Sequence, residues 1–334
     1  MSSATGAIGM LGVDPGLAER MARDVARIES FIAQQIAGEE EFISSAASHL
    51  FAAGGKRFRP MLTVLSSYLG PAAATDEVVA AAAGVELTHL ASLYHDDVMD
   101  EATVRRGAPS SNIAFGNTVS ILVGDLLFGK ASAIVAELGP EAVKIQAETF
   151  VRLCAGQIRD TRPCPPGDDP LEYYMGVLRD KTGSLIATAA RYGAMFSGAS
   201  DETVEIMRVY GEQVGMAFQL ADDILDIAGD ADTSGKAPGT DLREGVDTLP
   251  TILVRREASS SDERLLELLD SDLTNDRMHT EALSLLRQHP ALDRAQELTQ
   301  SVADTACDVL APLGESPEIH ALRQLARSAV VRVS

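Results

Sequence analysis

Apolar residues recur at three- and four-residue spacing through nearly every segment of this chain. No run alternates apolar and polar residues as a half-buried strand must. That pattern restricts the chain to an all-α fold. Helices are expected over roughly 17–37, 40–52, 60–69, 76–100, 111–137, 140–160, 171–197, 201–228 and 250–258, with several more to the C-terminus. Their ends carry ordinary punctuation. Pro60, Pro140 and Pro170 stand where first-turn prolines belong, Ser200 precedes "DETVE" as an N-cap, and Gly70-Pro71 closes the helix before it. No tandem repeat and no Gly/Ser linker divides the chain, so 1–334 reads as one helical domain with residues 1–15 as a flexible N-terminal segment.

At 46% hydrophobic residues over 334 positions, the chain can bury a large core. Its net charge of −21 argues against a general affinity for nucleic acid or anionic lipid, so the positions of its few cations matter. Cys154, Cys164 and Cys307 form no CxxC pair, as expected of a reducing compartment, and the N-terminus lacks the basic start of a signal peptide. A cytoplasmic protein is expected. The most apolar helix, near 118–139, is interrupted by Asp125 and Lys130, and no membrane span is expected.

The helix 76–100 ends in "HDDVMD". Asp96 and Asp100 lie four apart and so on one face, about 6 Å apart along the axis. Two anions there repel each other and oppose the negative end of the helix dipole. Bound cations would resolve the conflict, and an all-oxygen ligand set suits Mg²⁺ bridged to substrate phosphates. Taken alone, such a triplet is a solvated acidic helix end. Here it occurs twice, because Asp222, Asp223 and Asp226 repeat the i, i+1, i+4 pattern at the end of a second apolar helix.

The cations are grouped. Lys56, Arg57 and Arg59 lie in "GGKRFRP", Arg105 and Arg106 in "RRG", Lys181 in "DKTGS" and Lys236 in "SGKAPGTDL". Each group alone is an ordinary basic turn. With the two acidic triplets, they suit a site that holds one diphosphate through Mg²⁺ and a second anion by direct contact. No GxSxG, P-loop or HExxH supplies a nucleophile, which leaves ionisation of a leaving group as the chemistry. His89 sits two turns before Asp96 on nearly the same face, whereas Met99 and Phe218 read as packing residues.

In order and spacing, "GGKRFRP", "HLASLYHDDVMD", "RRG", "GDLL", "KTGSLI", "FQLADDILD" and "GKAPGTDLREGVDTLP" resemble the trans-polyprenyl diphosphate synthase family over nearly the whole chain. The resemblance implies a bundle of mostly antiparallel helices around a deep central cavity, the isoprenoid synthase-like fold. It also implies Mg²⁺-dependent, head-to-tail condensation of isopentenyl diphosphate with an allylic diphosphate. By the same resemblance Asp96, Asp100 and Asp222 would hold three Mg²⁺ ions, supported by Asp97, Asp223 and Asp226. Arg105, Lys181 and Lys236 would grip the allylic diphosphate, and Lys56, Arg59, His89 and Arg106 would bind isopentenyl diphosphate. Thr182 and Gln219 would lie near the developing cation, and closure of loop 229–248 would exclude water. A homodimer is implied, with a long product passed on to membrane enzymes.

Product length in this family is set below the first acidic motif. Ala91 and Ser92 are small, and Ser132 lies one turn beyond Phe128, so a long-chain product of about thirty to fifty carbons is expected. Geranylgeranyl diphosphate is the rival, with Phe128 or Met99 as the floor. Other classes fit less well. An HD-type phosphohydrolase would use His49, His95 and Asp96 and leave the basic groups unexplained. A di-iron protein needs a second ExxH besides Glu86–His89. A terpene cyclase gives "GGKRFRP" no second diphosphate, and a noncatalytic partner subunit would be expected to have lost acidic ligands.

Overall fold

The structure, a computed structural model, describes residues 8–9, 12–38, 40–229 and 238–330. The chain divides into two compact units. The first comprises Met1–Val151, Leu185–Gly211 and Pro312–Gln324, and the second comprises Arg152–Ser184, Glu212–Ala311 and Leu325–Ser334.

The chain opens with α1 (Pro15–Ile36), α2 (Glu41–Ala52), α3 (Phe58–Ser67) and α4 (Asp76–Met99), all in the first unit. Asp14 caps α1 by accepting from the backbone N–H groups of Gly16 and Leu17 at 3.0 and 3.1 Å. The stripe Leu17, Met21, Val25, Ile28, Ile32 and Ile36 is buried, as its period predicts. Thr75 caps α4, whose first turn carries Asp76 and Glu77. Beyond it, α4 is buried on nearly every side.

A tight hairpin of two-residue strands, β1 (Val104–Arg105) and β2 (Ala108–Pro109), follows α4. These strands are too short for alternation to reveal. The helix expected over 111–137 is broken into α5 (Ser111–Phe115) and α6 (Asn117–Ala136) at Gly116, whose φ of +81° an L-residue rarely adopts. Next comes α7 (Pro140–Asp160).

α6 packs on α4 through small residues. A Cβ at Gly124 would lie 2.3 Å from the His95 ring, and one at Gly84 would lie 2.7 Å from Val135. By length and composition α6 is apolar enough to cross a membrane, so Asp125 and Lys130 do not exclude that as expected. In this fold one face of α6 lies against α4, and Lys130 donates to the Gln35 carbonyl at 2.5 Å.

The expected helix 171–197 is three pieces. These are α8 (Pro170–Leu178), a π-helical turn at Arg179–Gly183, and α9 (Ser184–Phe196). Then come α10 (Asp201–Ala228), α11 (Thr240–Arg243), α12 (Leu249–Glu257), α13 (Glu263–Leu269), α14 (Asp276–Arg287), α15 (Pro290–Val309) and α16 (Pro317–Val330). In the second unit, Leu220, Ile224, Leu249, Leu253, Leu268, Leu286 and Ala303 share one core. Arg287 donates to the Ile227 and Gly229 carbonyls at 2.7 and 2.8 Å, satisfying acceptors at the end of α10.

Candidate active site

The first acidic triplet ends α4, and its three carboxylates have different surroundings. Asp97 is fully buried and accepts from Arg105 Nε at 2.7 Å and from the Ser111 N–H at 2.8 Å. It therefore fastens the hairpin and α5 to the end of α4. Asp96 is half-buried, and Asp100, at the C-cap, is exposed with Arg105 Nη2 4.0 Å away. Met99, expected to pack, is instead 54% exposed, because α4 ends there and turns its last side chains outward.

The glycine turn before α3 gathers cations in the same unit. Arg57 has a φ of +50° and is buried. It pairs with Glu29 at 2.9 Å and with buried Glu86 at 3.5 Å, donates to the Phe51 carbonyl, and stacks 4.3 Å over the Phe51 ring. Arg57 is thus the turn's own staple. The neighbouring Lys56 side chain is exposed. Arg106 has a φ of +54° and lies over Gly55, where a Cβ would meet its guanidinium at 2.8 Å; it donates to the Gly54 and Leu50 carbonyls.

Arg59 Nε is buried with no hydrogen-bond partner. Burial pulls the Arg59 pKa down to about 10, with Arg106 adding to the shift and Glu86 opposing it. His89 is held well below the usual histidine range by burial and then by Arg59, Arg106, Arg105 and Arg57, so it is neutral. Burial raises the Glu86 carboxyl against the pull of Arg59, Arg57 and Arg106. The cluster has more cationic groups than anionic ones, which favours an added anion.

The second triplet is in the second unit. Asp223 is buried between the Tyr174 hydroxyl, which donates to it, and Gln219 Nε2 at 3.0 Å. Burial lifts its pKa to about 7; the Tyr174 and Gln219 hydrogen bonds oppose the shift, and the nearby Asp241 and Asp222 charges add to it. Asp226 accepts from the backbone N–H groups of Thr240 and Asp241, both at 3.1 Å, anchoring the end of the loop. Asp222 is half-buried. Thr182 Oγ1 donates to Gln219 Oε1 at 3.3 Å, and Lys181 Nζ to Asp160 Oδ2 at 2.6 Å. Lys236 lies outside the described residues, as does much of loop 229–248.

Of the chain-length candidates, Ala91 is fully buried, and its carbonyl lies 3.2 Å from where a Cβ on Gly124 would stand. Its backbone lies where α4 meets α6. Ser92 is half-buried and donates to the His89 carbonyl at 2.8 Å. Phe128 stacks between His95 and Phe150, with ring centroids 5.6 and 4.5 Å away. Ser132 is exposed and donates to the Phe128 carbonyl at 2.9 Å.

The sequence reading missed Arg57 as a staple, Glu86 as its buried counter-charge, Tyr174 beneath Asp223, and Asp160 opposite Lys181. A glutamate within an otherwise apolar helix, "AAAAGVELTHL", was the available signal for Glu86. The histidines that an HD-type site would need are used otherwise. His49 Nε2 lies 2.8 Å from the Pro109 carbonyl and His95 Nε2 3.1 Å from that of Ile121.

Among the described residues, no three His, Cys, Asp or Glu side chains converge as a preformed metal cage. Carboxylate oxygens at the end of a helix, partly open to water, nevertheless fit Mg²⁺. That ion keeps several waters and completes its shell with substrate phosphate.

Residues 40–286 match the family model described as polyprenyl synthetase. Over 324 residues, 96% of this chain and 97% of the other, the sequence is 48% identical to nonaprenyl diphosphate synthase of Mycobacterium tuberculosis (strain ATCC 25618 / H37Rv). Geranylgeranyl pyrophosphate synthase of Corynebacterium glutamicum, solved with calcium and isoprenyl diphosphate, is 41% identical with a TM-score of 0.86, covering 96% of this chain and 98% of that one. Decaprenyl diphosphate synthase of Rhodobacter capsulatus is 32% identical, also with a TM-score of 0.86, covering 95% and 98%.

Proposed function

Because the chain belongs to the polyprenyl synthetase family, a family of Mg²⁺-dependent prenyltransferases, we propose that it condenses isopentenyl diphosphate with an allylic diphosphate into an all-trans, long-chain polyprenyl diphosphate. The observation that carries this reading is the cationic turn around Arg59. Its buried, unpartnered Nε sits among Arg57, Arg106 and neutral His89, which suits a second diphosphate held without metal. A cyclase or a phosphohydrolase, with one substrate diphosphate, leaves that cluster unused.

In this reading Lys56, Arg59, His89 and Arg106 hold isopentenyl diphosphate. Asp96, Asp100 and Asp222 would hold the Mg²⁺ ions, three in number, while Asp97, Asp223 and Asp226 fix the side chains and backbone around them. When bound, Mg²⁺ stabilises the charge that develops on the departing diphosphate. Arg105, Lys181 and Lys236 contribute further positive charge to the same group. Thr182 and Gln219 turn neutral dipoles toward the allylic carbon as its C–O bond breaks. The isopentenyl double bond then forms the new C–C bond, and a proton passes to the released diphosphate. Closure of loop 229–248 keeps water from capturing the cation.

Small side chains at Ala91 and Ser92 support a long product, as do the nonaprenyl and decaprenyl synthases among the relatives. A twenty-carbon product is favoured instead by the Phe128–Phe150 stack, acting as a floor, and by the likeness to a geranylgeranyl synthase. Exposed apolar residues on α5–α7, among them Ile113, Ile121, Leu122, Val143 and Val151, support a homodimer.

The test is incorporation of labelled isopentenyl diphosphate into an acid-labile prenyl product. Incorporation that requires both an allylic primer and Mg²⁺, and stops with EDTA, is expected. No incorporation with any allylic primer rejects the reading.

A further inference from the structure

The π-helical turn at Arg179–Gly183 is an irregularity that the surrounding structure must hold in place. Its Asp180 carboxylate is bound on both oxygens by arginines of α7. Arg152 Nε donates to Oδ1 at 2.8 Å, and Arg159 Nη2 donates to Oδ2. Arg152 Nη2 also reaches Glu212 Oε1 at 2.6 Å. Burial works against the Arg152 charge, but its bonds to Glu212 and Asp180 outweigh that and raise its pKa.

Between the two arginines, and on the same helical face, stands Gly156. A Cβ there would lie 2.5 Å from the Lys181 backbone nitrogen and 2.9 Å from the Asp180 carbonyl carbon. Ser184 Oγ donates to the Asp180 carbonyl at 2.6 Å, satisfying an acceptor of the turn. The next two side chains are Lys181, 2.6 Å from Asp160, and Thr182, 3.3 Å from Gln219.

We propose that Asp180 is a positioning residue for the prenyl-transfer reaction: held by Arg152 and Arg159, it fixes the π-turn in the register that aims Lys181 and Thr182 at the allylic substrate. The proposal rests on the reading of Lys181 and Thr182 given above. It assigns the α7 arginines to holding Asp180, not to binding substrate. Gly156 is the small residue that lets the turn approach α7 so closely.

The experiment is a double-mutant cycle with farnesyl and isopentenyl diphosphates and Mg²⁺, combining Asp180→Asn with Lys181→Ala. Thermal melts are recorded for each protein. In the native background Asp180→Asn is expected to lower kcat/KM for the allylic substrate about tenfold or more. The KM for isopentenyl diphosphate should stay within about twofold, and in the Lys181→Ala background the same change should cost less than about twofold. Should Asp180→Asn fail to fold, Arg159→Gln removes one arm of the fork from a partly exposed position, and the same non-additivity is expected at smaller amplitude. Equal losses in both backgrounds, or a rise in both KM values in step with a lowered melting temperature, would overturn the proposal and reduce Asp180 to a fold-stabilising contact. Wild-type protein that condenses nothing would instead overturn the functional reading, and this proposal with it.

Discussion

Arg105 Nε lies 2.7 Å from Asp97 Oδ1, and the carboxylate it meets is wholly buried at the end of α4. The middle aspartate of the first triplet thus belongs to the protein's own framework. Asp223 is buried in the same position of the second triplet, against Tyr174 and Gln219. In both triplets the i+1 residue points about 100° round the helix from residue i and about 60° from residue i+4, toward the core.

Asp97→Asn is therefore expected to destabilise the fold by about 1–3 kcal/mol, because it weakens the partners of Arg105 and of the Ser111 N–H. Asp100→Asn, at an exposed site, should leave stability within about 0.5 kcal/mol. It should instead lower the Mg²⁺-dependent rate. Chemical denaturation and a Mg²⁺ titration of activity separate the two effects.

Arg57 and Arg59 are two residues apart and should fail differently. Arg57→Gln breaks the ion pair to buried Glu86, with Arg59 and Arg106 left as its counter-charges, and should cost about 1–3 kcal/mol. Arg59→Gln should leave the melting temperature near wild type and raise the KM for isopentenyl diphosphate, with little effect on the KM for the allylic partner.

Neutral His89 gives an acid limb to stability. Its folded pKa lies below 6.5, so above that pH neither state gains a proton there. As pH falls below 6.5, the unfolded chain takes up a proton that the folded site refuses, and stability drops until the folded pKa is passed. The effect is at most about 1.4 kcal/mol per pH unit. Melts of wild type and His89→Gln from pH 7.5 to 5 should diverge only below about 6.5, with the variant losing less.

The chain-length candidates should respond unequally. Ala91→Phe, at a wholly buried position on α4, should overpack, costing about 1–3 kcal/mol, whatever it does to product length. Ser92→Phe, on a half-buried position, should shorten the product while the protein stays folded. Phe128→Ala should lengthen it. Product chromatography together with melting curves checks all three.

Much of this was legible in the sequence, because α4 and α10 carry long helical patterns that end in acidic triplets. The burial of Asp97 was not, since α4 is apolar on most faces and its period marks no outward side. The break at Gly116 was hidden because a lone glycine is tolerated within a helical pattern, and apolar spacing resumes at Val119. The π-turn was hidden for another reason. Its Asp180 is bound by Arg152 and Arg159, which lie more than twenty residues before it, and no local pattern records that pairing.

The most direct test of the central claim is the size of the dephosphorylated products formed from labelled isopentenyl diphosphate and a farnesyl primer with Mg²⁺. Products of thirty carbons or more are predicted. A stop at twenty carbons would contradict the long-chain assignment and make the Phe128–Phe150 stack the floor; no prenyl product at all would contradict the account as a whole.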